Sequence, residues 1–165
     1  MRILGIDPGL ATIGLGLIEA TGPHQMNVIE WLTIKTQAGI PLPDRLQEIH
    51  KDLAAYVKDA KPDLCVIERV YFSKNVTTGI DVSQARGVIL TCIAEQAIRI
   101  LEPTPSELKS AVCGDGKADK TQMQTMMMRM LELQEIPKPD DAADALALAV
   151  FGALNVRSMI VGSVK

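Results

Sequence analysis

Four carboxylates set the chemistry open to this sequence: Asp7 ends an apolar opening segment, Glu68 ends a second, and Asp141 and Asp144 open an alanine-rich stretch near the C-terminus. Singly, each has an ordinary reading. Asp7-Pro8-Gly9 is good turn chemistry, because proline presets φ and glycine accepts positive φ. Glu68 after Leu64-Cys65-Val66-Ile67 suits the solvated end of a strand, and Asp140, Asp141 and Asp144 complement the positive end of a helix dipole. The set says more than its members. Acids three apart on a helix share a face, and acids ending neighbouring parallel strands leave the same edge of a sheet. Where they meet, like charges raise one another's pKa values until cations neutralise them. Oxygen donors with few histidines suit Mg²⁺ or Mn²⁺ over zinc or copper. Two such ions about 4 Å apart can clamp a scissile phosphate, one activating water and the other stabilising the departing oxygen. The expected chemistry is phosphodiester hydrolysis.

Lys109, Lys117 and Lys120 lie in a stretch punctuated by Gly114 and Gly116. Alone they read as solvated loop lysines; beside a metal cluster they stabilise charge on a phosphate. Tyr71 and Phe72 border a polar stretch that begins Ser73-Lys74-Asn75. They either pack against the domain or stack on nucleic-acid bases, with Lys74 beside them as a further DNA contact.

The elements that must position these groups follow from periodicity. Residues 2–7, 13–18 and 28–35 read as strands, the first two joined hairpin-fashion by the Asp-Pro-Gly turn. Residues 41–56 carry Leu42, Leu46, Ile49 and Leu53 at helical spacing, closed by Pro62. Residues 63–68 form the short apolar run of a buried parallel strand. Residues 83–98 are helical and apolar nearly all round, which predicts burial on two sides, one of them against another subunit. A fifth strand at 98–102 and helices at 106–112, 120–133 and 140–154 complete the order. Met123, Met126, Met127 and Met130 keep core spacing, whereas Met128 falls off that face and is left to a neighbour or partner. Three early strands followed by alternating helices and strands imply an α/β layer structure with a mixed sheet, and the acids fall at its carboxyl edge, where open sheets bind ligands.

Composition is compatible with this. A chain of 165 residues that is 47% hydrophobic suits one domain, placed at residues 1–155, with a short tail over 156–165. The opening run reaches Gly5 and Asp7 too soon for a signal peptide or membrane span, so no membrane association and a cytoplasmic location are expected. Cys65, Cys92 and Cys113 have neither disulfide nor zinc spacing and read as small hydrophobes; His24 and His50 are isolated. The formal net charge of −3 would turn slightly positive once two divalent cations were bound, so it permits a nucleic-acid partner.

The sequence resembles the RuvC family of Holliday junction resolvases. The likeness is carried in order by Leu4-Gly5-Ile6-Asp7-Pro8-Gly9, Val66-Ile67-Glu68, Ser83-Gln84-Ala85-Arg86-Gly87, Lys109, Ala118-Asp119-Lys120 and Asp141-Ala142-Ala143-Asp144-Ala145. It implies a ribonuclease H-like fold, a mixed five-stranded sheet flanked by helices, and symmetrical nicking of four-way DNA junctions in recombination and repair. It makes Asp7, Glu68, Asp141 and Asp144 the metal-binding catalytic acids for two Mg²⁺ per subunit, with Mn²⁺ as a substitute. Lys109 and Lys120 become supporting cations, and Tyr71 the aromatic that probes the junction. It further implies a homodimer through the helix beginning at Gln84 and a branch-migration helicase complex of the RuvA and RuvB type as partner. An isologous pair would present two equal sites to two equivalent strands. Asp140 is a fifth acid beside this set and suits a helix cap. Other functions compatible with the residues are a nuclease for ribosomal RNA precursors or flaps, a sugar-kinase or actin-like ATPase, and a junction-binding module without catalysis.

Overall fold

The first strand alternates between two cores. In the computed structural model, which describes residues 1–22, 25–69 and 76–162, β1 (Arg2–Asp7) sends Ile3 to one side of the sheet and Leu4 and Ile6 to the other, all fully buried. A continuous apolar run is therefore needed, because both faces are covered. β4 (Leu64–Ile67) repeats the pattern, with Leu64 and Val66 on the Ile3 side and Cys65 and Ile67 on the Leu4 side. Period-2 alternation carries Asp7, and Glu68 just beyond β4, onto the Ile3 side.

β2 (Thr12–Gly22) and β3 (Gln25–Lys35) pair antiparallel, while β1, β4 and β5 (Arg99–Leu101) run parallel. The five-stranded mixed sheet has the order β3-β2-β1-β4-β5, as the α/β reading requires. The Leu4 side is covered by α1 (Leu42–Ala60), which buries Ile49, Leu53, Val57 and Ala60, and by α2 (Val76–Glu95), which buries Ala85, Ile89, Cys92 and Ile93. The opposite face of α2 is open, since Gln84, Gly87, Thr91 and Ala94 are exposed. The expected two-sided burial of this helix is thus met on one side within the chain.

On the Ile3 side lie α3 (Pro105–Cys113), α4 (Lys120–Met130) and α5 (Asp140–Gly162). Met128 is partly buried against this core, as are Met123, Met126 and Met130, so it touches neighbours within the chain. α5 lies unusually close to the sheet. A Cβ on Gly5 would stand 1.9 Å from the Ala145 carbonyl oxygen, one on Gly14 1.9 Å from that of Asp141, and one on Gly16 2.6 Å from the Leu146 nitrogen. Strand glycines let the helix backbone rest almost directly on β1 and β2. Among the described residues no helix is long and apolar enough to cross a membrane.

Candidate active site

Asp7 is delivered by the end of β1 and held by the turn after it. Thr36, buried at the end of β3, donates through Oγ1 to the Leu10 carbonyl at 2.6 Å. Its backbone N–H reaches the Ala11 carbonyl at 3.1 Å. Arg45 of α1 donates from Nε to Thr36 Oγ1 at 2.9 Å and from Nη2 to the Leu10 carbonyl at 3.2 Å. The segment after Asp7 is thus tied to two other elements. The first turn of α5 approaches from the opposite direction, its placement fixed by Gly14 beneath Asp141.

Two helices bring the cations, and each begins with a capping box. Thr104 Oγ1 accepts from the Glu107 N–H while Glu107 accepts from the Thr104 N–H, starting the helix that carries Lys109. Asp119 and Gln122 do the same for the helix that opens with Lys120. Lys120 Nζ then lies 2.9 Å from Asp140 Oδ2 and 3.7 Å from Asp144 Oδ2. Those carboxylates, its hydrogen bond to Asp140 first, hold the Lys120 ammonium above its ordinary pKa.

The result is a cleft of about 220 Å³ lined by Asp7, Glu68, Asp144, Lys109 and Lys120 over an apolar floor that includes Leu108 and Met127. Charge crowding is severe. Burial first, then Asp144, Asp141 and Glu68, push the Asp7 carboxyl up to about 7, with Lys120 pulling the other way. Glu68 is raised by burial and then by Asp144, against Lys109. Asp144 is raised by burial ahead of its neighbours' charges. Half-buried Asp7 and Glu68 with the more exposed Asp144 raise one another's pKa and are short of positive charge, which a hard divalent cation supplies. Among the described residues no three such side chains form a ready-made metal cage.

Asp141 acts on Asp7 through its charge but lies outside the cleft lining. Asp140 occupies the first position of α5 rather than its cap, since the Ala142 and Ala143 N–H groups bond to the Pro139 carbonyl; its side chain holds Lys120. Lys117 is exposed on the loop before α4 and outside the cleft. Tyr71, Phe72 and Lys74 fall outside the described residues, as does His24. His50 pairs with Glu95 at 2.9 Å. The sequence reading missed Arg45 and the three sheet glycines; isolated glycines inside strand patterns were the available signal for the latter.

Residues 3–152 match the family described as "Crossover junction endodeoxyribonuclease RuvC". A protein of that name from Desulfitobacterium hafniense is 46% identical over 156 residues, spanning 94% of both chains. The one from Thermotoga petrophila is 44% identical over 158 residues, 96% of this chain and 95% of its own. The structure of Thermus thermophilus RuvC in complex with Holliday junction substrate superposes with a TM-score of 0.90 at 28% identity, covering 96% of each chain. The yeast mitochondrial Holliday junction resolvase shares the fold, with a TM-score of 0.69 at 14% identity over 98% of this chain and 80% of that one.

Proposed function

Since this chain belongs to the RuvC family of crossover junction endodeoxyribonucleases, we propose that it resolves four-way DNA junctions by symmetrical, metal-dependent phosphodiester hydrolysis, with Asp7, Glu68, Asp141 and Asp144 as its catalytic acids. One observation carries the assignment of the site: acids from β1, from the end of β4 and from α5 meet Lys109 and Lys120 in a single cleft. Asp7, Glu68 and Asp144 would hold two magnesium-type ions, with Asp141 close enough to add charge. Such ions supply a nucleophilic water and stabilise the leaving oxygen.

The chain's own groups do the rest. Lys109 and Lys120 offset phosphate charge from two sides of the cleft, and Asp140 restrains Lys120 through its hydrogen bond. Burial and its acidic neighbours push the Asp7 carboxyl up to about 7, and a bound cation would favour its ionised form. The apolar floor under the carboxylates limits the water around them. Lys117 adds diffuse attraction for the backbone, and Tyr71, Phe72 and Lys74, which follow Glu68 in sequence, are the proposed contacts to the junction.

The open face of α2 supports a homodimer through that helix, with a groove against α1 lined by Leu46, His50, Gln84 and Val88. A branch-migration helicase complex as partner and a cytoplasmic setting are part of the same proposal. Incubating the protein with a synthetic four-way junction, flaps, duplex and RNA, with and without Mg²⁺, tests it. Paired symmetrical nicks confined to the junction and to Mg²⁺ are expected; equal cutting of the other substrates would remove the junction assignment.

A further inference from the structure

Arg86 sits on α2 in the Ser83-Gln84-Ala85-Arg86-Gly87 run and takes no part in the chemistry described so far. Its side chain is only 16% exposed. Nε donates to the backbone carbonyl of Glu68 at 2.9 Å, and Nη2 pairs with the Glu102 carboxylate. The same peptide plane is gripped from its other edge, where the Arg69 N–H donates to the Pro103 carbonyl at 2.8 Å. Glu102 and Pro103 are consecutive residues just past β5. One short anchor therefore holds both the guanidinium and the N–H.

This grip falls where the sheet stops giving one. The β1–β4 pairing ends at Ile6 and Ile67, and the β4–β5 pairing ends at Val66 and Leu101. The peptide unit after Glu68 lies beyond these paired residues: its N–H still reaches the chain after β5 at Pro103, and its carbonyl is taken by Arg86 instead of a strand neighbour. Arginine's planar fork can bond a carbonyl and a carboxylate at once, which a lysine ammonium does with far less directional control.

We infer that Arg86 is a positioning residue for the proposed reaction: by pinning the Glu68 carbonyl between α2 and the end of β5, it fixes the direction in which the Glu68 carboxylate enters the cleft. This rests on the reading of Glu68 as a metal-binding acid. Glu102 serves as the second anchor and lies outside the cleft lining.

The test compares wild type, Arg86→Gln, Arg86→Lys and Glu102→Ala. Mn²⁺ affinity is measured on the DNA-free protein by calorimetry, junction affinity by anisotropy in Ca²⁺, and single-turnover nicking against Mg²⁺ concentration. Loss of a residue that orients a metal-binding side chain lowers metal affinity by about tenfold or more. Arg86→Gln is expected to show that loss and a matching rise in the Mg²⁺ needed for half-maximal nicking, with junction affinity within twofold of wild type. Arg86→Lys should stand nearer to Arg86→Gln than to wild type, and Glu102→Ala should show a smaller loss in the same direction. A folded Arg86→Gln with wild-type Mn²⁺ affinity overturns the inference. If that variant does not fold, unchanged Mn²⁺ affinity in Glu102→Ala does the same. A wild-type protein that binds Mn²⁺ but leaves junctions intact would remove the proposed function while these affinities still decide the role of Arg86.

Discussion

Asp7→Asn should make the cation-free protein more stable. The native carboxyl sits at about 7 against an ordinary value of 3.8, raised mainly by burial. Between those values the unfolded chain has already lost a proton that the native state keeps, so stability falls as pH rises through the window and is flat above it. Each pH unit in the window is worth about 1.4 kcal/mol, which sets an upper bound of about 4 kcal/mol at pH 8. Relaxation and the cost of burying an amide should leave roughly half of that. Asn keeps the shape without the charge. Urea denaturation in EDTA at pH 8 should therefore favour the variant by about 2 kcal/mol, or about 5 °C in Tm for a chain of this size. The advantage should shrink as pH falls towards 4 and vanish only well below the ordinary value of 3.8, where both states are protonated, and it should narrow on adding Mg²⁺, which stabilises wild type by mass action. An Asp7→Asn protein no more stable than wild type at pH 8, or with a gap independent of pH, would refute the reasoning.

Glu68→Gln and Asp144→Asn should retain junction affinity while losing Mg²⁺-dependent nicking by about 100-fold or more, read by gel shift and single-turnover cleavage; unchanged cutting would dispose of the assigned acids. Gly14→Ala places a methyl 1.9 Å from the Asp141 carbonyl oxygen and should cost about 3 kcal/mol or more in urea denaturation. An unshifted midpoint would mean that α5 does not rest on β2 as described. Thr104→Ala removes the cap of α3 and should cost about 1 kcal/mol, with a stability equal to wild type as the contrary result.

The residues that mark the site were legible because each ends a run with a clear period. β1 stops at Asp7 as read, and β4 stops one residue short of Glu68. The starts of α4 and α5 were legible too, since Asp119 and Pro139 precede them. Extents set by packing were not. α2 begins at Val76, seven residues before Ser83, through a Thr-Thr-Gly segment of poor helix propensity in which Ser83 Oγ bonds the Gly79 carbonyl at 2.7 Å. β2 runs on to Gly22, beyond residue 18, because β3 continues to pair with it. α1 continues past Tyr56 to Ala60 and ends only where Lys61 turns left-handed, at φ 49°. The Arg86 clamp and the Lys120–Asp140 pair join residues 18 and 20 positions apart, and no local pattern announces contacts fixed by the crossing of separate elements.

Asp7 belongs to the first strand and Asp144 to the last helix, which settles against that strand across Gly5. During synthesis the ribosome releases the first acid long before the last. A nascent chain therefore carries only part of the proposed site, and it gains the remainder when α5 leaves the exit tunnel and docks. Proteolysis that removed α5 would likewise leave a fragment without Asp144.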